Sequence, residues 1–294
     1  MGLFKKNFSQ DKNPVQQEKP KASTAFIMLF NALPKLDTKR LGNSISQIEP
    51  LKQPATFDVQ TFDVQIEEKG MLRAFMKFDD HKLQLVGISS PVPSPVMEHT
   101  IPVSNWKQED KLPLQNHKAH IICYYEGENS NPTEQLLALY KTAFAFSEFG
   151  LLGILDEDAW NCTPTRMIKE QMKPNMLQRC RESVPLGIWT GFVKLFKSKN
   201  DVWYCTKGYH RFGVNDLAYL GQLGEANDVY NMFGNLFEYM LGGASIKAGH
   251  TAQISETHYL RFREVYEYSD YLKSPLGTLV IEKIKASEIN KPVK

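Results

Sequence analysis

The sequence predicts an α+β protein built of mainly antiparallel sheets with packed helices. Three observations lead there. Short apolar or alternating runs recur along the 294 residues and are interrupted by single helices. Several of these runs are joined in pairs by short polar turns, as hairpins are. No solenoid period runs through the chain. The strand–helix–strand order recurs in both halves, which suggests two similar modules.

Residues 1–22, rich in Lys, Gln, Asn and Pro, read as a flexible basic tail. Leu3, Phe4 and Phe8 beside Lys5 and Lys6 offer at most a weak peripheral membrane contact. Residues 23–104 are expected to form an N-terminal α+β module. It opens with a buried strand at 24–30. Asp37 then caps a helix that places Leu41, Ile45 and Ile48 on one face. The pentapeptide Thr56-Phe57-Asp58-Val59-Gln60 is repeated at once as Thr61-Phe62-Asp63-Val64-Gln65. An odd repeat reverses the faces of a strand, so a bulge or two covered faces is expected there. Leu72, Ala74, Met76 and Phe78 alternate with polar residues, as do Leu83 and Leu85, around the turn Asp79-Asp80-His81. Residues 89–102 carry four prolines and read as a surface connection between domains.

Residues 115–294 are expected to form a C-terminal α+β domain. A β-rich run at 120–125 precedes Asn131-Pro132-Thr133-Glu134, a cap and helix start. The helix behind it is apolar around more than half its circumference and so deeply buried. Gly150 ends it before a short strand at 151–155, and Thr163-Pro164 opens a further helix. Strands at 188–197 and 202–206 flank the turn Lys199-Asn200-Asp201. Ala226, Val229, Phe233, Phe237 and Met240 then hold helical spacing up to Gly242-Gly243. Residues 258–267 and 276–284 read as the last strands.

With 42% hydrophobic and 23% charged residues, the composition excludes a disordered chain and a collagen-like fibre. The formal charge of +2 is uneven. The tail holds five lysines against Asp11 and Glu18, a net +3, which leaves the rest at −1. A near-neutral body argues against a nucleic-acid-binding stripe, and Trp203, Tyr204, Tyr209 and Phe212 are read as sheet packing. Cys123, Cys162, Cys180 and Cys205 form no CxxC pair, and no apolar stretch reaches the length of a membrane span. Lys6 stands where a myristoylation signal needs Ser or Thr. A cytoplasmic location is expected.

Each candidate catalytic motif has an ordinary structural counterpart. Asp156, Glu157 and Asp158 end an apolar strand as a magnesium site does, but no GxxxxGK[ST] loop accompanies them; a solvated turn is the better reading. His117, His120 and Cys123 cannot all reach one zinc ion from an alternating strand. Neither a metal site nor a cofactor is expected. No GxSxG is present, and His250 reads better as a surface histidine at a turn than as a base.

At Thr206-Lys207-Gly208-Tyr209-His210-Arg211-Phe212-Gly213, followed by the amphipathic helix and Gly249-His250-Thr251, the chain resembles the bacterial family known as domain of unknown function 4261. Its T-x-G turn, F-G, helix and G-x-T turn are similar over about residues 202–284. Residues 119–125 with their helix, and 185–192, resemble the part often found upstream. The family commonly has an acid soon after F-G; Asn215-Asp216 stands there. The resemblance implies a bacterial, cytosolic α+β protein and carries over no catalytic residue. The leading expectation is therefore a non-enzymatic interaction protein, regulatory or of immunity type, with an unidentified protein partner. The rival is an enzyme with a pocket near His210, Asp216, His250 and Thr251, the candidate binding residues.

Overall fold

The computed structural model describes residues 24–60 and 71–289. The basic tail and the second copy of the duplicated pentapeptide lie outside the described residues. The chain divides into two compact units, Ser23–Gly191 and Phe192–Lys294. The expected break between 104 and 115 falls inside the first unit. The reason is sheet pairing: a strand beyond that break lies between two strands that precede it.

The N-terminal unit has one seven-stranded sheet. Its strands are β1 (Ala25–Phe30), β2 (Thr56–Gln60), β3 (Met71–Phe78), β4 (His81–Ile88), β5 (Ala119–Tyr125), β6 (Gly153–Asp156) and β7 (Asn161–Pro164). They lie in the order β2-β3-β4-β5-β1-β6-β7, every neighbouring pair antiparallel. β3 and β4 form the expected hairpin. Its turn is Asp79-Asp80, with Asp79 at φ 46°, and His81 already pairs with Phe78. Alternation does the rest: Ala74, Met76, Phe78, Leu83 and Leu85 are buried, while Arg73 and Lys77 face out.

Helix α1 (Thr38–Ile48) begins where expected, with Asp37 accepting from Arg40 N at 3.0 Å. Helix α2 (Ser94–Thr100) occupies the region expected to be a surface connection, and helix α3 (Gln108–Gln115) follows it. Proline tolerates the first turn of a helix, so Pro95 starts α2 rather than preventing it. Val92, Ile101 and Leu114 close an apolar cluster over Ile27, Leu29, Leu155 and Cys162. The proline-rich segment is thus part of the core.

Helix α4 (Pro132–Phe146) follows the Asn131 cap, whose side chain accepts from Thr133 N. Ten of its residues are buried, as its all-round apolar pattern requires. Tyr140 and Phe146 meet Phe26 and Phe30 of β1 edge to face at 5.9 and 6.0 Å. Gly150 ends the segment at φ 83°. Helices α5 (Thr165–Gln171) and α6 (Pro174–Glu182) complete the unit.

The C-terminal unit has a six-stranded sheet of β8 (Gly191–Phe196), β9 (Asp201–Lys207), β10 (Asp216–Gln222), β11 (Thr251–Gln253), β12 (His258–Arg263) and β13 (Thr278–Lys285). The order is β11-β12-β13-β10-β9-β8. β10 and β13 run parallel, whereas every pair of the first sheet is antiparallel. Helix α7 (Ala226–Leu241) buries Val229, Phe233, Leu236, Phe237 and Met240. Phe237 stacks on Tyr209 with ring centroids 4.1 Å apart, and Phe233 meets Phe192 at 6.0 Å. A four-residue helix, α8 (Ser269–Leu272), sits between β12 and β13. The architecture is α+β with two mostly antiparallel sheets.

Candidate functional site

Topology gathers four chain segments at one end of the C-terminal sheet. β9 is antiparallel to β10, β13 is parallel to it, and β12 is antiparallel to β13. The end of β9, the start of β10, the end of β12 and the start of β13 therefore meet there. Two glycines make the first connection. Gly208 at φ 93° and Gly213 at φ 76° bracket a 3-10 turn, Tyr209–Phe212, in a left-handed backbone that side chains disfavour. This is the physical use of the T-x-G and F-G pairs.

Asp216 is the junction, only 1% exposed. Its Oδ1 accepts from Thr206 Oγ1 at 2.9 Å and from Tyr209 N at 3.2 Å. Its Oδ2 accepts from Ser274 Oγ at 2.5 Å and lies 4.0 Å from His210 Nδ1. Thr206 Oγ1 in turn accepts from Leu217 N at 2.8 Å. A buried carboxylate needs such donors, because its desolvation is otherwise costly. Lys207, 4% exposed, directs its ammonium to Tyr271 O at 2.5 Å and Lys273 O at 2.9 Å. Asn215 Nδ2 donates to Leu276 O, and Thr278 Oγ1 donates to Leu272 O. The bonds made by Lys207, Asn215 and Thr278, and that of Asp216 with Ser274, all reach residues 271–276, so the loop from β12 to β13 is fixed from behind.

Its outer side carries Tyr266, Tyr268 and Tyr271, exposed by 66%, 37% and 48%. Tyr268 holds φ 52°, a left-handed conformation uncommon outside glycine. Its ring lies 6.2 Å from buried Trp203 and 6.3 Å from Tyr271. Arg263, at the end of β12, places its guanidinium 5.5 Å from the Tyr266 ring and bonds Glu267 and Glu282. Trp203, Tyr204 and Tyr209 are buried, in agreement with a packing role.

The four residues chosen from the sequence are only partly brought together. His210 and Asp216 are neighbours. His250 and Thr251 stand at the far edge, on β11 and just before it, with β12 and β13 in between. At ordinary strand spacing that separation is roughly 14 Å. His250 serves its own turn: its Nδ1 accepts from Lys247 N and its carbonyl from Phe262 N.

The other motifs resolve into structural roles. His117 donates from Nδ1 to Leu114 O at 2.7 Å and accepts at Nε2 from Val92 N at 2.8 Å, so both ring nitrogens serve the backbone. Burial pushes the Cys205 thiol up to about 12, and that of Cys123 higher still, far from nucleophilic form. Asp156 is buried rather than solvated and accepts from Ala159 N, closing the turn into Trp160. Among the described residues no group of three or more His, Cys, Asp or Glu is placed to hold a metal ion. No helix of the described residues is long and apolar enough to cross a membrane.

Sequence reasoning missed the tyrosine loop and the part played by Lys207. The loop's signal was present as three tyrosines among acids in Glu264-Val265-Tyr266-Glu267-Tyr268-Ser269-Asp270-Tyr271. The partners of Lys207 lie 64 and 66 residues away, beyond any local pattern.

Residues 205–282 match the family described as "Domain of unknown function (DUF4261)". The match runs from β9 to β13 and so takes in both the Asp216 junction and the tyrosine loop. No curated protein and no solved structure matches the chain.

Proposed function

We propose that the chain is a non-enzymatic, protein-binding module, regulatory or of immunity type, from the bacterial cytoplasm, and that the tyrosine loop is its contact surface. The observation that supports this reading is the anchoring of that loop. Buried Lys207 and Asp216, with Asn215 and Thr278, hold residues 271–277 by side-chain bonds to backbone and hydroxyl groups. A loop fixed beforehand loses little entropy on binding. Tyrosine suits such a surface because it pairs a large apolar ring with a hydrogen-bonding tip.

A photo-crosslinking residue placed at Tyr271 tests the reading in native cells. One discrete, near-stoichiometric adduct is expected from that position and none from Leu112, which is 52% exposed in the other unit. No adduct at Tyr271, or the same adduct from both positions, removes the proposal.

The second reading is an enzyme using His210 and Asp216, favoured by their 4.0 Å approach and by the Ser274 hydroxyl on the same carboxylate. Against it, three donors of the chain already occupy the Asp216 oxygens, and His250 is remote. A soaked or co-crystallised small ligand touching His210 would favour this reading over the first.

A further inference from the structure

We infer that the β8–β9 hairpin is a second contact surface, which seats on an anionic lipid surface. Exposure rises steadily along β8: Gly191, Phe192 and Val193 are buried, Lys194 and Leu195 are half-buried, and Phe196 is 61% exposed. The tip continues exposed through residues 197–200. The hairpin end therefore projects from its unit, at an edge of the sheet, with a phenylalanine as its most exposed apolar side chain. Lys194, Lys197 and Lys199 surround that residue in sequence. Among the described residues none of them reaches a carboxylate within salt-bridge distance. The Lys194 ammonium lies over the Phe192 ring at 5.8 Å.

The nearest acid, Asp201, is already engaged. It accepts from Gln222 Nε2 at 2.8 Å and Ser198 Oγ at 2.9 Å, and these bonds, with a smaller contribution from the charge of Lys197, hold its carboxyl below the usual range. They also stiffen the turn, as does Leu223 N donating to Asn200 O at 2.9 Å. Leu223 itself is 47% exposed, so a second apolar side chain stands beside the tip.

An apolar prong flanked by lysines that reach no carboxylate within salt-bridge distance fits a lipid interface better than a protein one. Lysine stems extend along apolar surface while their heads stay hydrated among phosphates. At the core of a protein–protein interface those same heads would have to be desolvated, and lysine is depleted there. The inference rests on β8 and β9 alone and is independent of the tyrosine loop.

Co-sedimentation of the full chain with phosphatidylcholine vesicles, with and without phosphatidylglycerol, is the test. Binding is expected only when phosphatidylglycerol is present. Lys197→Glu and Lys199→Glu should each weaken it at least about fivefold, the worth of one basic residue near an anionic surface. Phe196→Ala should weaken it about tenfold, from the loss of a buried aromatic ring. All three positions are exposed, so an unchanged thermal midpoint verifies that the fold is intact. Equal binding to neutral vesicles overturns the inference, as does undiminished binding by the hairpin variants. So does loss of binding on Lys5→Glu/Lys6→Glu alone, which would assign the contact to the tail. Retention on single-stranded RNA with no vesicle binding would likewise replace the lipid with a nucleic acid.

Discussion

Both units bury a lysine, and they put it to different use. In the N-terminal unit Lys141 of α4 is 4% exposed, and its ammonium lies 2.6 Å from Glu49 at the end of α1. Arg181 of α6 bonds both oxygens of Glu49 at 3.0 Å and Glu134 at 2.9 Å. This network joins helix to helix through side chains only. In the C-terminal unit Lys207 is also 4% exposed, but its partners are two carbonyls of a loop. A side-chain ion pair in a core can often be exchanged for apolar packing without harm. Carbonyls that a loop turns inward cannot be exchanged and must find a donor. The first network helps to close a core, whereas the second sets the shape of a surface.

Asp216→Ala is the strongest challenge to that distinction. It leaves Tyr209 N, Thr206 Oγ1 and Ser274 Oγ without their acceptor in a buried site. The expected cost is about 3 kcal/mol, read from urea midpoints, because an unsatisfied buried donor loses its full desolvation energy. Limited proteolysis should then cut between residues 264 and 277. A cost below about 1 kcal/mol, or an uncut loop, would mean that the junction does not govern the loop.

Acid should act on the N-terminal unit through its histidines. Burial chiefly lowers the affinity of His117 and His81 for a proton below the ordinary 6.5. Neighbouring His120 and Lys118 lower His117 further, while its bond to Leu114 raises it. Lys141 adds to the lowering at His81, against Glu134, Asp79 and Asp80. His117 must also give up its bond from Val92 N to accept a second proton. As the pH falls through 6.5, the unfolded chain takes up protons that the folded chain refuses. Stability is therefore complete above that value and declines below it, by at most about 1.4 kcal/mol per pH unit for each histidine. Glu49, held down to about 2 by Arg181 and Lys141 against the effect of burial, adds a second decline only between 4.5 and that value. Hydrogen exchange should show the first decline in the amides of β4 and β5; its absence there would break the assignment.

Lys141→Met should cost less, about 1 kcal/mol. Glu49 keeps Arg181 and is partly in water, and the methionine fills the space of the lysine stem. Lys207→Met has no such relief, because two carbonyls lose their donor. Equal costs in urea unfolding would erase the contrast between the two lysines.

Legibility followed the range of the interactions. α1, α4 and α7 were readable because a cap, a proline or a glycine stands within one turn of each helical pattern. β1, β9 and the β3–β4 hairpin were readable from local apolar runs. β10 was passed over, since Asp216-Leu217-Ala218-Tyr219 takes its strand character from β9 and β13 on either side. The prolines of 89–102 were read as a linker, although Val92 and Ile101 belong to a cluster completed by residues far along the chain. Of the candidate pocket His210, Asp216, His250 and Thr251, only His210 and Asp216, which are close in sequence, come together. Ser274, 58 residues from Asp216, was not among the candidates.

The smallest effect on stability is expected at the surface itself. Tyr266 is 66% exposed, and its ring meets a guanidinium that Glu267 and Glu282 already hold. Tyr266→Ala should therefore shift stability by no more than about 0.5 kcal/mol. Yet a ring at a tyrosine contact surface contributes far more to binding than to folding. The adduct formed from Tyr271 should fall at least about tenfold in this variant, as a lost interface anchor does. Tyr230→Ala, a change to a half-exposed tyrosine on α7, serves as the comparison. If both substitutions leave the adduct unchanged, the anchored loop presents its tyrosines to solvent only. If both reduce it equally, the contact is not particular to the loop, and the buried network behind it has no binding role.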